Sequence, residues 1–298
     1  MLASNDSERR TTPYEDSRQN TLNGRYLVAS DFDQTLSFND SGRVLADILG
    51  IKNFEQKVKG LASTHLVQQG AELAYLLRHD PDFRSVRPEH LREAGKRVRL
   101  KDDVALLAEI LAEEHDGARF QFVVISAAPR EVVQSALEGM VPAENVLGTQ
   151  LAYDGSTHEI SRVERVTAGY GKVVSLQEQE HRFETSPDHT IYVGDGSSDL
   201  YVMHHVNSRD GLTIAVSESK DIGRIASRSV LSDNATSVLA PIFEDVLGWD
   251  AHKIRALYES HGLSVQGWDK VRTDWLTFTR AAPPRDAAPL REKELATL

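Results

Sequence analysis

Apolar residues along the chain fall into two alternating patterns. Short continuous runs at Tyr26–Ser30, Phe120–Ile125, Thr190–Val193 and Leu212–Val216 read as buried strands, with Ser229–Leu231 as a shorter fifth. Helical spacing lies between them. Val104, Leu107, Ala108 and Leu111 mark one helix within 102–113, and 130–137 and 198–206 mark two more. Strands that are apolar on both faces and alternate with helices predict a doubly wound parallel sheet, an α/β core of Rossmann-like build.

One interval breaks the alternation. From 41 to 100 the spacing is helical throughout, carried by Val44, Leu45, Ile48 and Leu49, then Leu73, Leu76 and Leu77, then Leu91 and Val98. This predicts an inserted helical module following the first strand. The expected organisation is a flexible arm over 1–24, an α/β core over 25–40 and 101–248, and a helical cap over 41–100. A helical extension over 249–280 and a flexible tail over 281–298 complete it. Residues 142–170 are harder to place; Val146–Tyr153 reads as a hairpin arm or an extra strand.

Composition narrows the chemistry. The chain has 298 residues, no cysteine and a formal charge of -11. The missing cysteines exclude disulfides, zinc-thiolate sites and cysteine nucleophiles. The acidic balance argues against a nucleic-acid partner. No apolar run reaches the roughly 18 residues that span a bilayer, and the N-terminus lacks the apolar core of a secretory signal, so the expectation is a cytoplasmic protein without a membrane partner.

Three predicted strands run into unusual polar residues, at the edge where open parallel sheets bind ligands. The first leads into Asp31-Phe32-Asp33-Gln34-Thr35. Two carboxylates so close repel unless a cation or a proton intervenes. The second leads into Ser126-Ala127-Ala128-Pro129 before a helix, a source of hydroxyl and main-chain donors for an anion. The third leads into Gly194-Asp195-Gly196-Ser197-Ser198-Asp199, and Gly169-Tyr170-Gly171-Lys172 adds a lysine between the two. Several carboxylates suit a hard cation such as Mg²⁺. Lysine and serine can hold a phosphoryl group, and a carboxylate can accept one as an acyl phosphate.

These four stretches, in this order, resemble the motifs of the haloacid dehalogenase superfamily. The resemblance is nearest to the phosphoserine-phosphatase-like branch, which carries a helical cap between the first two motifs. It implies a phosphatase in which Asp31 is the nucleophile and Asp33 the general acid and base. It further implies Mg²⁺ held by Asp31, by the Asp33 carbonyl and by Asp195, with Asp199 steadying a metal water or Lys172. Ser126, Ala127 and Lys172 would hold the phosphoryl oxygens. The expected substrate is a small phosphomonoester. A phosphotransferase or mutase of the same fold and a pseudo-phosphatase that binds a protein are the competing readings. Asp33 speaks against dehalogenation, because a halide leaving group needs no proton. Asp40 stands where that branch places a glutamate for the substrate's ammonium, though capping of the helix that begins near Ser41 explains it equally well. Gln34 departs from the small residue usual at its position. Trp249, Trp268 and Trp275 read as packing anchors of the C-terminal extension, and the adjacent His204 and His205 face different ways on one helix.

Overall fold

The computed structural model describes residues 24–65 and 67–270. The described residues up to Ile254 form one compact unit, and the described residues 255–270 belong to a second. In the first unit, strand β1 (Arg25–Ser30) is followed by helices α1 (Ser41–Leu49), α2 (Phe54–Thr64), α3 (Glu72–His79) and α4 (Pro88–Arg97). Helix α5 (Val104–Ala112) precedes the short β2 (Glu114–His115), the long β3 (Ala118–Pro129) and α6 (Arg130–Ala136). Then come β4 (Val146–Tyr153), β5 (Ile160–Arg165), α7 (Tyr170–Arg182), β6 (Thr190–Gly194) and α8 (Leu200–Asn207). The unit continues through β7 (Leu212–Ala215), α9 (Lys220–Gly223), β8 (Arg228–Ser229) and α10 (Leu239–Leu247); α11 (Ala251–Ser260) follows in the chain.

The strands form one sheet in the order β5-β4-β3-β1-β6-β7-β8, with β2 beside β3. All pairs from β4 through β8 along this path are parallel, and the β4–β5 and β2–β3 pairs are antiparallel. This is the doubly wound α/β arrangement that the alternation predicted. Val146–Tyr153 satisfies both expectations for it, as an extra parallel strand against β3 and as one arm of a hairpin with β5. Strand β5 was not legible in ISRVER, because an exposed edge strand rich in Arg and Glu carries little apolar signal.

The sheet is held by side chains that alternate through its pleat. Leu27 and Ala29 of β1, Val123 and Ile125 of β3 and Tyr192 of β6 share one buried layer with Val173 and Leu176 of α7 and Val202, Met203 and Val206 of α8. Helix α5 packs on β3 in turn.

The interval 41–100 carries α1 to α4, and it packs directly on the core. Gly95 of α4 meets α6 so closely that a Cβ there would lie 2.3 Å from the Val132 carbonyl oxygen. The Ser135 hydroxyl donates to the Arg92 carbonyl at 2.8 Å across the same contact. Asp40 caps α1 by accepting from the Arg43 amide at 2.8 Å, and Gly50 ends it with φ +72°.

Two boundaries differ from the sequence reading. Strand β3 does not stop at Ile125 but continues through Ser126 to Pro129, with an irregular register against β4 after Ile125. The segment predicted to open a helix at Ser198 begins instead with a 3₁₀ turn at Ser197–Asp199. Of the predicted anchors, Trp249 packs at 4.9 Å from the Phe243 ring and its indole N–H donates to Asp116 at 2.6 Å. In the second unit the Arg255 guanidinium donates to the Val265 carbonyl at 2.9 Å and lies 5.5 Å from the Trp268 ring. Trp275, with the rest of 271–280, the tail and residues 1–23 of the arm, lies outside the described residues.

Candidate active site

β1 is the central strand, paired with β3 on one side and β6 on the other. Register brings the three motif strands to one edge, since Ser30 lies beside Val124 and Val193. Asp31 and Asp195, which follow β1 and β6, and Ser126, near the end of β3, therefore lie at the same edge, at the switch point of the strand order. The Asp31 amide donates to the Val193 carbonyl at 2.8 Å, which ties the first motif to the third.

Asp31, Asp195 and Asp199 each offer a carboxylate oxygen within 4.8 Å of the others. Lys172, fully buried in the first turn of α7, lies 2.8 Å from Asp31 Oδ2 and 2.7 Å from Asp199 Oδ1. Its helix starts tightly: a Cβ on Gly171 would stand 2.2 Å from the Val166 carbonyl, so glycine permits the approach. Asp199 does not cap the following helix. Its Oδ1 accepts from Lys172 and from the Tyr192 hydroxyl at 2.7 Å each, and its Oδ2 from the amides of Asp195 and Gly196 at 3.2 Å each. Asp195 Oδ1 accepts from the Thr35 hydroxyl at 3.2 Å. Asp199 is thus an anchor, while Asp195 is the less committed acid.

Asp33 is turned toward α1. Its Oδ1 accepts from the Ser41 amide at 2.8 Å and its Oδ2 from the Ser41 hydroxyl at 2.9 Å. Gln34, the odd residue in its motif, takes the left-handed conformation at φ +59° and is exposed. Asp40 is engaged as the cap of α1. The Ser126 hydroxyl caps no helix either; it accepts from the Ala128 amide at 3.1 Å within β3. Ala127 lies next to it, and its carbonyl accepts from Thr149 at 2.8 Å.

The helical interval reaches this edge. Gly70, at φ +89°, is packed so that a Cβ would lie 3.0 Å from Ser198 Cβ and 3.8 Å from Ala127 Cβ. A Cβ on Gly169 would lie 3.0 Å from Gln68 Oε1. The Gly70 amide donates to the buried Glu72 at 2.9 Å.

Charge in this pocket is unbalanced, with one lysine against three carboxylates. Burial raises the Asp31 carboxyl well above the usual carboxylate range, Asp199 raises it further, and Lys172 opposes the rise. Asp195 is pushed up to about 6 by burial and by Asp199. Asp33 is pushed up to about 7 by burial and the charge of Asp40, against the Ser41 hydrogen bonds. Burial alone would lower the Lys172 ammonium, but Asp199 and Asp31 outweigh it and hold the pKa above its ordinary value. A cluster of hard oxygen donors with surplus negative charge fits a divalent cation.

Four contributors escaped the sequence reading. Ser41 looked only like the start of a helix. Tyr192 looked like core, although a buried phenol needs a hydrogen-bond partner and so hinted at a polar neighbour. Ser217, whose hydroxyl donates to the Asp195 carbonyl at 2.5 Å, and the half-buried Lys101 gave no local signal. Burial lowers the Lys101 ammonium while Asp195 and Asp233 oppose that.

This fold and this cluster define a carboxylate-lysine site at the switch point of a doubly wound α/β sheet. The profile of the haloacid dehalogenase-like hydrolases matches residues 28–204, more than half of the chain and all four motifs, and the chain belongs to that family. No curated protein matches it in sequence. Among solved structures it is similar to a substrate-bound phosphoserine phosphatase complex, with TM-score 0.58 and 16% identity over 73% of this chain and 98% of that one. A phospho-aspartyl intermediate analogue of phosphoserine phosphatase gives TM-score 0.58 and 17% identity over 73% and 99%. A haloacid dehalogenase family hydrolase from Salmonella enterica serovar Typhi gives 0.58 and 15% over 79% and 81%. At these identities the likeness is one of fold. No helix among the described residues is long and apolar enough to cross a membrane.

Proposed function

We propose that the protein is a Mg²⁺-dependent phosphomonoesterase acting on a small phosphorylated metabolite through an aspartyl-phosphate on Asp31. The observation that carries this is the buried Lys172 bridging Asp31 and Asp199 beside Asp195. An ordinary structural pair needs one carboxylate; the surplus acids fit a cation, whose charge with that of Lys172 would admit a phosphoryl group.

Asp31, Asp195 and the Asp33 carbonyl would hold the Mg²⁺, which when bound would neutralise charge on the phosphoryl oxygens. Lys172, Ser126 and Ala127 orient the phosphoryl group. An Asp31 oxygen attacks phosphorus as the ester P–O bond breaks, and protonated Asp33 delivers its proton to the departing alkoxide. Asp33, now a carboxylate, takes a proton from water as the water oxygen attacks phosphorus. The Asp31–phosphorus bond breaks, inorganic phosphate leaves and both carboxyls return to their starting states. A value near 7 for Asp33 suits a group that works as acid and then as base. Residues 41–100, with Gln68 and Gly70 at the mouth, act as a cap that limits water and substrate size.

The test is Mg²⁺-dependent hydrolysis of an aryl phosphate by the purified protein and its Asp31→Asn variant. Loss of turnover in the variant, and of incorporated phosphate after acid quench, is expected. Equal turnover by both proteins sinks the proposal.

A further inference from the structure

Asp33 is the general acid and base of the proposed reaction, and its carboxylate touches the helical interval through one residue. Both of its oxygens accept from Ser41, one from the main chain at 2.8 Å and one from the side chain at 2.9 Å. Ser41 is 1% exposed, so water does not readily replace it in these bonds. A carboxylate gripped at both oxygens has lost rotation about its side-chain torsions. For a proton donor that must meet a leaving oxygen within hydrogen-bond reach, such orientation governs rate.

Ser41 is itself held by the helical interval. It opens α1, and the next residue, Gly42, has no room for a side chain. A Cβ there would stand 2.8 Å from the Phe54 ring of α2 and 3.1 Å from Leu73 of α3. The first turn of α1 is therefore wedged against α2 and α3. Any shift of these helices carries Ser41 with them, and Asp33 follows through its two hydrogen bonds.

We infer that Ser41 is the positioning residue through which the helical interval orients Asp33 for proton delivery. This rests on the phosphatase reading above. Ser41 touches no reacting atom; it acts through Asp33. The consequence is selective. Esters with a poor, strongly basic leaving group need the proton from Asp33, whereas an aryl ester expels a stable phenolate and needs it less. Loss of the Ser41 hydroxyl penalises alkyl phosphates more than aryl phosphates in kcat/KM, which reports the step up to the aspartyl-phosphate.

The experiment compares Ser41→Ala, Ser41→Thr, Asp33→Asn and the Ser41→Ala/Asp33→Asn double variant on one alkyl and one aryl phosphate with saturating Mg²⁺. In Ser41→Ala the alkyl-to-aryl ratio of kcat/KM is expected to fall about tenfold, the size of one displaced catalytic hydrogen bond. Ser41→Thr, which keeps a hydroxyl, restores most of the ratio. In the Asp33→Asn background, removal of the Ser41 hydroxyl changes the ratio no further. An equal loss on both esters shows a merely structural role and overturns the inference. So does a rise in alkyl turnover, which would make Ser41 a restraint. A wild-type protein without Asp31-dependent turnover overturns the function and this inference together; an active wild type with an unchanged ratio in Ser41→Ala overturns this inference alone.

Discussion

Gly194 and Asp199 are packed so closely that a methyl group on Gly194 would lie 2.6 Å from the Asp199 carboxylate. The contact explains why the third motif begins with glycine. Asp199 bends back over the end of β6 to reach Lys172 and Tyr192, and only a residue without a side chain leaves it that path. Gly194→Ala is expected to displace Asp199 and cost about 2–4 kcal/mol, since a clash is added and a buried charge network is disturbed. Thermal unfolding measures it. An unchanged melting temperature contradicts the account.

Lys172→Met removes the cation that bridges Asp31 and Asp199 in a buried group of acids. Breaking a buried pair from one side costs roughly 3–5 kcal/mol, because the remaining charges lose their partner. The loss is expected to be smaller at pH 5 than at pH 8, where the orphaned carboxylates stay ionised. Denaturant titrations at both pH values check this; equal losses at both would show that Lys172 does not balance these acids.

The metal-free protein should lose stability as pH rises through the range in which the site acids ionise. An unfolded aspartate titrates near about 3.9, whereas Asp195 in the fold is raised to about 6 and Asp31 is raised well above its usual value. Folded-state values above the unfolded value mean that the native protein binds more protons. For Asp195 this contribution is full below pH ~4, declines as pH rises above that, and is lost once pH has passed about 6. Mg²⁺ replaces those protons, so the rise in melting temperature on adding Mg²⁺ is expected to be larger at pH 7.5 than at pH 5. A rise independent of pH argues against a cation among these acids.

Gly95→Ala tests how the helical interval is seated. The added methyl would lie 2.3 Å from the Val132 carbonyl and 2.8 Å from Ser135 Cβ, forcing α4 away from α6. A destabilisation of about 1–3 kcal/mol is expected, the range for overpacked contacts, despite alanine's better helix propensity. A more stable variant would show that the two helices have slack between them.

Much of the site was legible because phosphoryl chemistry demands particular residue types at strand ends. Asp31, Asp33, Lys172, Asp195 and Asp199 stood out as charged residues at or just beyond the ends of apolar runs or in glycine-bearing turns. Their number and order carry the information, and both are properties of the chain alone. Ser41 and Tyr192 did not stand out, since a serine at a helix start and a tyrosine in a strand are what ordinary helices and cores contain. Asp40 was ambiguous for the same reason, and its carboxylate is spent on the Arg43 amide.

Hydrophobic periodicity by itself set the helix and strand types and the parallel character of the sheet, because burial on one face or two imposes those periods. Strand order, the reach of β3 to Pro129, the placing of β5 and the wedge of α1 against Phe54 and Leu73 came only from tertiary packing. These depend on which surfaces, distant in sequence, exclude each other's atoms. No local pattern of residues encodes such a long-range steric fit.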